Sequence, residues 1–139
     1  MEPTILTRKY KSRNTITQSL YFRTLAMPCL NYFYETFYKD KKKIVPNNLD
    51  ELLTARGLAY WLMDDGGKSV HGQTILHTRA FTLKDVEYIQ EVLNKNFELR
   101  TRLEEKKEGQ WVIYIPIRQK IKLKDIVGPY MNKSMLYKI

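Results

Sequence analysis

Two carboxylates side by side, Asp64 and Asp65, close an apolar run and lead straight into Gly66 and Gly67. Upstream, Leu58, Trp61 and Leu62 fall on one helical face, because residues three and four apart are neighbours on a helix. A helix therefore ends here, and its last turn carries two negative charges at the end of the dipole that disfavours them. Something positive must compensate. A hard divalent cation is one such partner, since Mg²⁺ prefers oxygen ligands, keeps several waters and commonly takes only one or two protein carboxylates beside phosphate oxygens. Gly66 and Gly67 would permit a sharp turn and the close approach of a bulky phosphodiester. The plain alternative is two solvated acids ahead of a glycine that caps the helix C-terminus.

The apolar pattern sets out the rest of an α+β chain. Residues 4–24 alternate and read as two strands joined by a turn at 12–14, with a basic exposed face. Residues 24–39 have helical spacing, with Pro28 in the first turn or at a kink. After the breaker at 45–48, Asn48 or Asp50 is expected to cap a helix over 51–65. Strands follow at 68–72 and 75–81, and Thr82 with Asp85 forms a capping box for a helix over 83–96 that buries Val86, Ile89, Val92 and Leu93. Segments 98–104 and 110–117 make a hairpin around 106–109, and 120–131 is a last amphipathic helix. The two ends resemble imperfect copies: LYF, a helix after Arg23 and Lys43-Ile44-Val45, against VIYI, a helix after Arg118 and Lys138-Ile139. This predicts one complete unit preceded by the rear half of another. At 139 residues the chain is expected to form one folding unit.

Charge narrows the partners. Lys and Arg number 24 against 15 Asp and Glu, a net +9 that favours an anionic ligand, nucleic acid first. Arg8, Lys9, Lys11, Arg13, Lys68, Arg79, Arg100, Arg102, Lys106 and Lys107 lie in the predicted strands or their turns, where a two-stranded ribbon can enter the major groove. His71 and His77 lie in those strands and Gln73 in the turn between them. Two histidines with no Cys nearby and no third ligand make a poor zinc site, so a polar surface or nucleic-acid contact is expected of them. The helical spacing of Tyr32, Phe33 and Tyr34 favours packing over stacking on bases, and Cys29 among apolar neighbours reads as a buried thiol in a reducing compartment. No apolar run approaches the ~18 residues of a membrane span, so a soluble protein with no membrane partner is expected.

Leu58 to Gly66 resembles the LAGLIDADG signature: Leu58 and Ala59 match its first two positions and Asp65-Gly66 its last acid and glycine, while Tyr60 stands for the usual Gly and Met63 for an Asp. KKKIVPNNL, LAYWLMDDGGK, FTLKDVEYI and PYMNKSMLYK extend the similarity over most of the chain to the second half of monomeric, two-motif mitochondrial intron endonucleases of that family. The resemblance implies units that pack through their motif helices and lay a saddle of antiparallel strands along the DNA major groove. Here that means an αββαββ unit over 51–139 preceded by a ββα rear half over 1–50. It implies Mg²⁺ held at Asp65 and Gly66, with Asp64 at a non-catalytic position and Lys43 and Lys138 at the edges of the active sites. It further implies site-specific hydrolysis of double-stranded DNA. Because such enzymes use two acidic motifs and this chain has one, the resemblance also implies a second polypeptide with the missing first motif, in an organellar, mitochondrial setting. The competing expectation is a non-cleaving, maturase-like or ribonucleoprotein subunit that binds structured RNA. A transcription regulator built on the same fold is a third.

Overall fold

A computed structural model describes residues 2–10, 14–23 and 25–139, which divide into two compact units, Met1–Glu35 and Thr36–Ile139. In the first, β1 (Thr4–Tyr10) and β2 (Thr15–Tyr21) pair antiparallel from Thr4 opposite Tyr21 to Tyr10 opposite Thr15. Successive strand residues point to opposite faces, so Arg8 and Lys9 sit on different faces of this hairpin. Lys11 and Arg13 lie outside the described residues, as does most of the expected 12–14 turn. Pro28 opens a 3-10 turn, Pro28–Leu30, that leads into α1 (Asn31–Phe37), so the helix is shorter than the 24–39 expected. Two expectations fail here. Cys29 is exposed rather than buried, and Tyr32, Phe33 and Tyr34 remain more than half exposed, with the Tyr32 and Phe33 rings edge to face at 5.6 Å. The reason is common to both: no described residue of this unit is buried, so it has no core for them to join.

In the second unit, β3 (Tyr38–Lys39) and β4 (Lys42–Lys43) form a minimal hairpin turned by Asp40 and Lys41, both at positive φ (50° and 62°). The helix expected over 51–65 is two helices, α2 (Leu49–Leu52) and α3 (Ala55–Asp65). Leu53 breaks the run in extended geometry and Thr54 caps α3, its hydroxyl accepting from Gly57 N at 3.1 Å. Neither expected cap operates. Asn48 makes no side-chain capping bond, and the Asp50 carboxylate instead accepts from Lys95 Nζ at 3.0 Å and from the Tyr88 hydroxyl at 3.4 Å.

From Asp65 the chain passes directly into β5 (Gly66–Lys68), turns through 69–73, and returns as β6 (Thr74–His77). α4 (Leu83–Phe97) carries the full Thr82–Asp85 capping box. β7 (Arg102–Lys107) and β8 (Gln110–Ile115) follow, and α5 (Lys120–Val127) stops before Gly128-Pro129 rather than reaching residue 131. The antiparallel sheet runs β5-β6-β8-β7. Its parity is set by Leu76 opposite Ile113 and Leu103 opposite Ile113, which turn Leu76, Ile113, Ile115 and Leu103 toward α3, α4 and α5. There they join Leu58, Leu62, Val86, Ile89, Leu93 and Leu123 in one core. Ile75, His77, Val112, Tyr114, Arg102 and Glu104 share the other, outer face. No helix among the described residues is long and apolar enough to cross a membrane.

Candidate functional site

The motif helix α3 buries Leu58, Ala59 and Leu62, which leaves its last turn at the sheet edge with Asp64 exposed and Asp65 half-buried. Gly66 is not a left-handed cap: its backbone is extended (φ −81°, ψ 151°). What the missing side chain provides is room, since a Cβ there would lie 2.2 Å from the Leu62 carbonyl oxygen. A strand can thus start on the last carbonyls of the helix only if the residue is glycine. The positive partner that this helix end calls for is a side chain. Lys138 Nζ donates to Met63 O at 2.5 Å and Asp64 O at 3.3 Å, placing an ammonium at the negative pole of α3.

Asp65 opens into a pocket of about 420 Å³ lined also by Lys43, His77, Arg79, Ala80 and Phe81. One carboxylate thus shares a basin with two cations and an imidazole. Burial, then Arg79, lowers the pKa of His77 below its ordinary value, against the pull of Asp65, so this ring stays neutral at pH 7. Its Nδ1 is buried without a hydrogen-bond partner among the described residues, and its Nε2 stands 3.1 Å from where a Gly67 Cβ would be. Among the described residues no three His, Cys, Asp or Glu side chains gather as a metal cage, so Asp65 offers one carboxylate only. That suits a hydrated hard cation whose other ligands come from outside the chain. On the other side of Lys43 lies an apolar groove of about 280 Å³, bordered by Leu53, Gly57 and Trp61 together with Phe37 and Phe81.

The remaining basic residues are scattered by strand parity. Arg79 joins Asp65 in the pocket, and Arg102 occupies the outer sheet face with Lys106 beside the same Tyr114 ring. Lys68 pairs with Thr74 and so points to the helix side, where it lies against Lys120 and holds that ammonium below its usual pKa. His71 is exposed in the 69–73 turn, Gln73 accepts from Arg102, and Arg100, ahead of β7, and Lys107, at its end, are exposed. Arg102 and Lys106 are less free than their sequence suggests. Both are ion-paired to Glu104 and both lie over the Tyr114 ring. Neither Glu104 nor Tyr114 was expected at the site from sequence; the alternating charges of Arg102, Glu104 and Lys106 were the available signal.

The profile of the LAGLIDADG DNA endonuclease family matches residues 2–123. The chain belongs to that family. As a LAGLIDADG chain it is 40% identical over 120 residues to the intron-encoded endonuclease ai4 of Dictyostelium discoideum, covering 85% of this chain and 75% of that one. It is 34% identical over 145 residues to the cytochrome b mRNA maturase bI2 of Saccharomyces cerevisiae, covering 99% of this chain but 34% of that one. Its fold matches that of the homing endonuclease I-WcaI, solved bound to its DNA recognition sequence, with a TM-score of 0.88 and 29% identity over 99% of this chain and 63% of that one. The chain therefore spans between a third and three-quarters of these relatives. In this LAGLIDADG fold α3 is the motif helix and the four-stranded antiparallel sheet is the platform beside it.

Proposed function

We propose that this chain is part of a site-specific, Mg²⁺-dependent endonuclease acting on double-stranded DNA, completed by a second polypeptide that carries another acidic motif. The observation that carries this is the pocket in which the motif acid Asp65 meets Lys43 and Arg79 beside β6. A lone carboxylate flanked by cations repels a second anion less than an acidic cluster would, so a phosphodiester can enter. Asp65, with the backbone at Gly66, would hold the cation, which when bound lowers the pKa of a water and neutralises developing charge. Lys43 and Arg79 would draw the phosphate in, and Lys138 would fix the helix terminus that presents Asp65. By the same reading residues 1–50 are the rear half of a first repeat and 51–139 a second repeat. The apolar groove along Leu53, Gly57 and Trp61 on the flank of α3 supports the partner, since it offers apolar surface to a second chain and shares Lys43 and Phe81 with the Asp65 pocket. The setting on this reading is an organelle, which the likeness to an intron-encoded endonuclease and to a cytochrome b mRNA maturase supports.

The RNA-binding alternative rests on the likeness to a maturase. A randomised DNA library incubated with Mg²⁺, this chain and its co-purifying partner separates the two readings. Cleavage abolished by Asp65→Asn with binding intact is the expected result. DNA binding without cleavage in any metal, alongside tighter binding to structured RNA, would overturn the nuclease reading.

A further inference from the structure

The outer face of the sheet holds an array of side chains that the acidic pocket does not use. Arg102 and Glu104 alternate along β7, and Tyr114 of β8 is the register partner of Arg102. The Arg102 guanidinium lies 5.0 Å and the Lys106 ammonium 4.9 Å from the centroid of that one ring. Glu104 reaches both cations, Arg102 at 3.7 Å through Oε2 and Lys106 through Oε1. Gln73 Oε1 accepts from Arg102 Nη2 at 3.1 Å, tying in the 69–73 turn. Tyr114 is buried at 4% exposure, whereas the side chains of Arg102 and Glu104 are 55% and 40% exposed. The platform is sealed and its polar edge is open.

Two features of this array argue against a mere grip on phosphate. A strand that only neutralises a backbone gains from every cation and loses from every carboxylate, yet Glu104 sits between the two cations. And a guanidinium held by a ring, a carboxylate and an amide has surrendered its rotamer freedom before any ligand arrives, which suits a planar, bidentate target. Guanine offers such a target in O6 and N7, and its cytosine partner offers an amine that a carboxylate accepts from. Residues two apart on a strand stand roughly 6.8 Å apart on one face, a separation that lies within the width of a major groove.

We propose that Arg102 and Glu104 form a base-reading site for a G·C pair in the major groove, Arg102 donating to the guanine and Glu104 accepting from the cytosine amine. Tyr114 and Gln73 are positioning residues: they hold the guanidinium plane and touch no base. This assignment rests on the DNA-binding reading above, and the test is built to fail separately from it.

The full chain, with its co-purifying partner where one is found, is used to select bound duplexes from a randomised library, and affinities are then measured at two salt concentrations. Wild type is expected to enrich a G·C pair at one position. Arg102→Lys keeps the charge and removes the fork, so the preference at that position should fall about tenfold or more while the salt dependence is unchanged. Glu104→Gln should relax the same position while raising binding to all other sequences, and Tyr114→Leu should reproduce Arg102→Lys in weaker form. Unaltered melting curves for the first two exposed-site variants show the fold intact. Wild type that binds duplex DNA with no preference, or an Arg102→Lys variant that weakens every sequence equally, overturns the base-reading site and leaves DNA binding standing. Wild type that retains no duplex sinks the DNA reading itself.

Discussion

The two units of this chain follow the same local rules and reach opposite ends. Both begin from alternating strands, but β1 and β2 expose Ile5, Ile16 and Leu20 at 61%, 65% and 72%, whereas every residue from Val112 to Ile115 of β8 is buried. The difference goes beyond strand propensity, since four of seven residues in TILTRKY and in TITQSLY are already β-branched or aromatic, against five of six in QWVIYI. It lies in what covers the sheet. α3, α4 and α5 seal the face of Ile113 and Ile115, and on the other face Val112 and Tyr114 lie between side chains of β6 and β7, whereas a two-stranded hairpin without a covering layer is marginal in water. Sequence pattern makes strands; a second layer makes a domain.

Hydrogen exchange should break or uphold that contrast most sharply. Amides of β1 and β2 are expected to exchange through opening free energies near zero, and those of β6 and β8 only through global unfolding, a gap of several kcal/mol; similar protection in both would refute it. Next, Leu62→Ala, at a fully buried position, should cost about 2–5 kcal/mol in urea unfolding. Leu20→Ala, at 72% exposure, should stay within about 0.5 kcal/mol. Gly66→Ala places a methyl group 2.2 Å from the Leu62 carbonyl and should cost roughly 1–3 kcal/mol, while Gly128→Ala, with nothing within 4 Å, should cost nothing. Thr82→Ala removes the hydroxyl that accepts from Asp85 N and should cost about 1 kcal/mol in thermal melts. The smallest effect concerns pH. The hydrogen bond from Lys95 holds the Asp50 carboxyl below its ordinary 3.8, so its stabilisation is present above 3.8 and is lost as pH falls through the lower folded value. The destabilisation caused by Asp50→Asn should therefore be flat from about pH 5 to 9 and shrink below 3.8.

Much of the second unit was legible because its signals are local. Thr82 and Asp85 announce α4, and the apolar spacing of Val86, Ile89, Val92 and Leu93 names its buried face. The break before α3 was not, because Leu49, Leu52 and Leu53 continue a helical spacing straight through it, and a threonine cap inside such a run leaves no periodic trace. The candidate site divides along the same line. Asp65 stands out from its neighbours, whereas the closeness of Lys43, twenty-two positions earlier by number, exists only once the chain has folded, and family likeness alone pointed to it. Which way Lys68 points depends on β5 starting at Gly66: one residue later and it would have shared the outer face with Arg102. The ring that organises Arg102 and Lys106 is likewise a product of β7–β8 register, including the irregularity between Glu105 and Lys107.

The absence of a side chain at residue 66 reaches beyond stability. Because strand β5 grows directly off the Leu62 carbonyl with no intervening loop, the acid at position 65 has no slack of its own. On the proposed function, any bending of the sheet as it seats on a curved duplex would be transmitted to that carboxylate, so the fit of a recognition surface and the aim of a cutting group would be geared together: a poorly matched target would misalign the very atom meant to act on it.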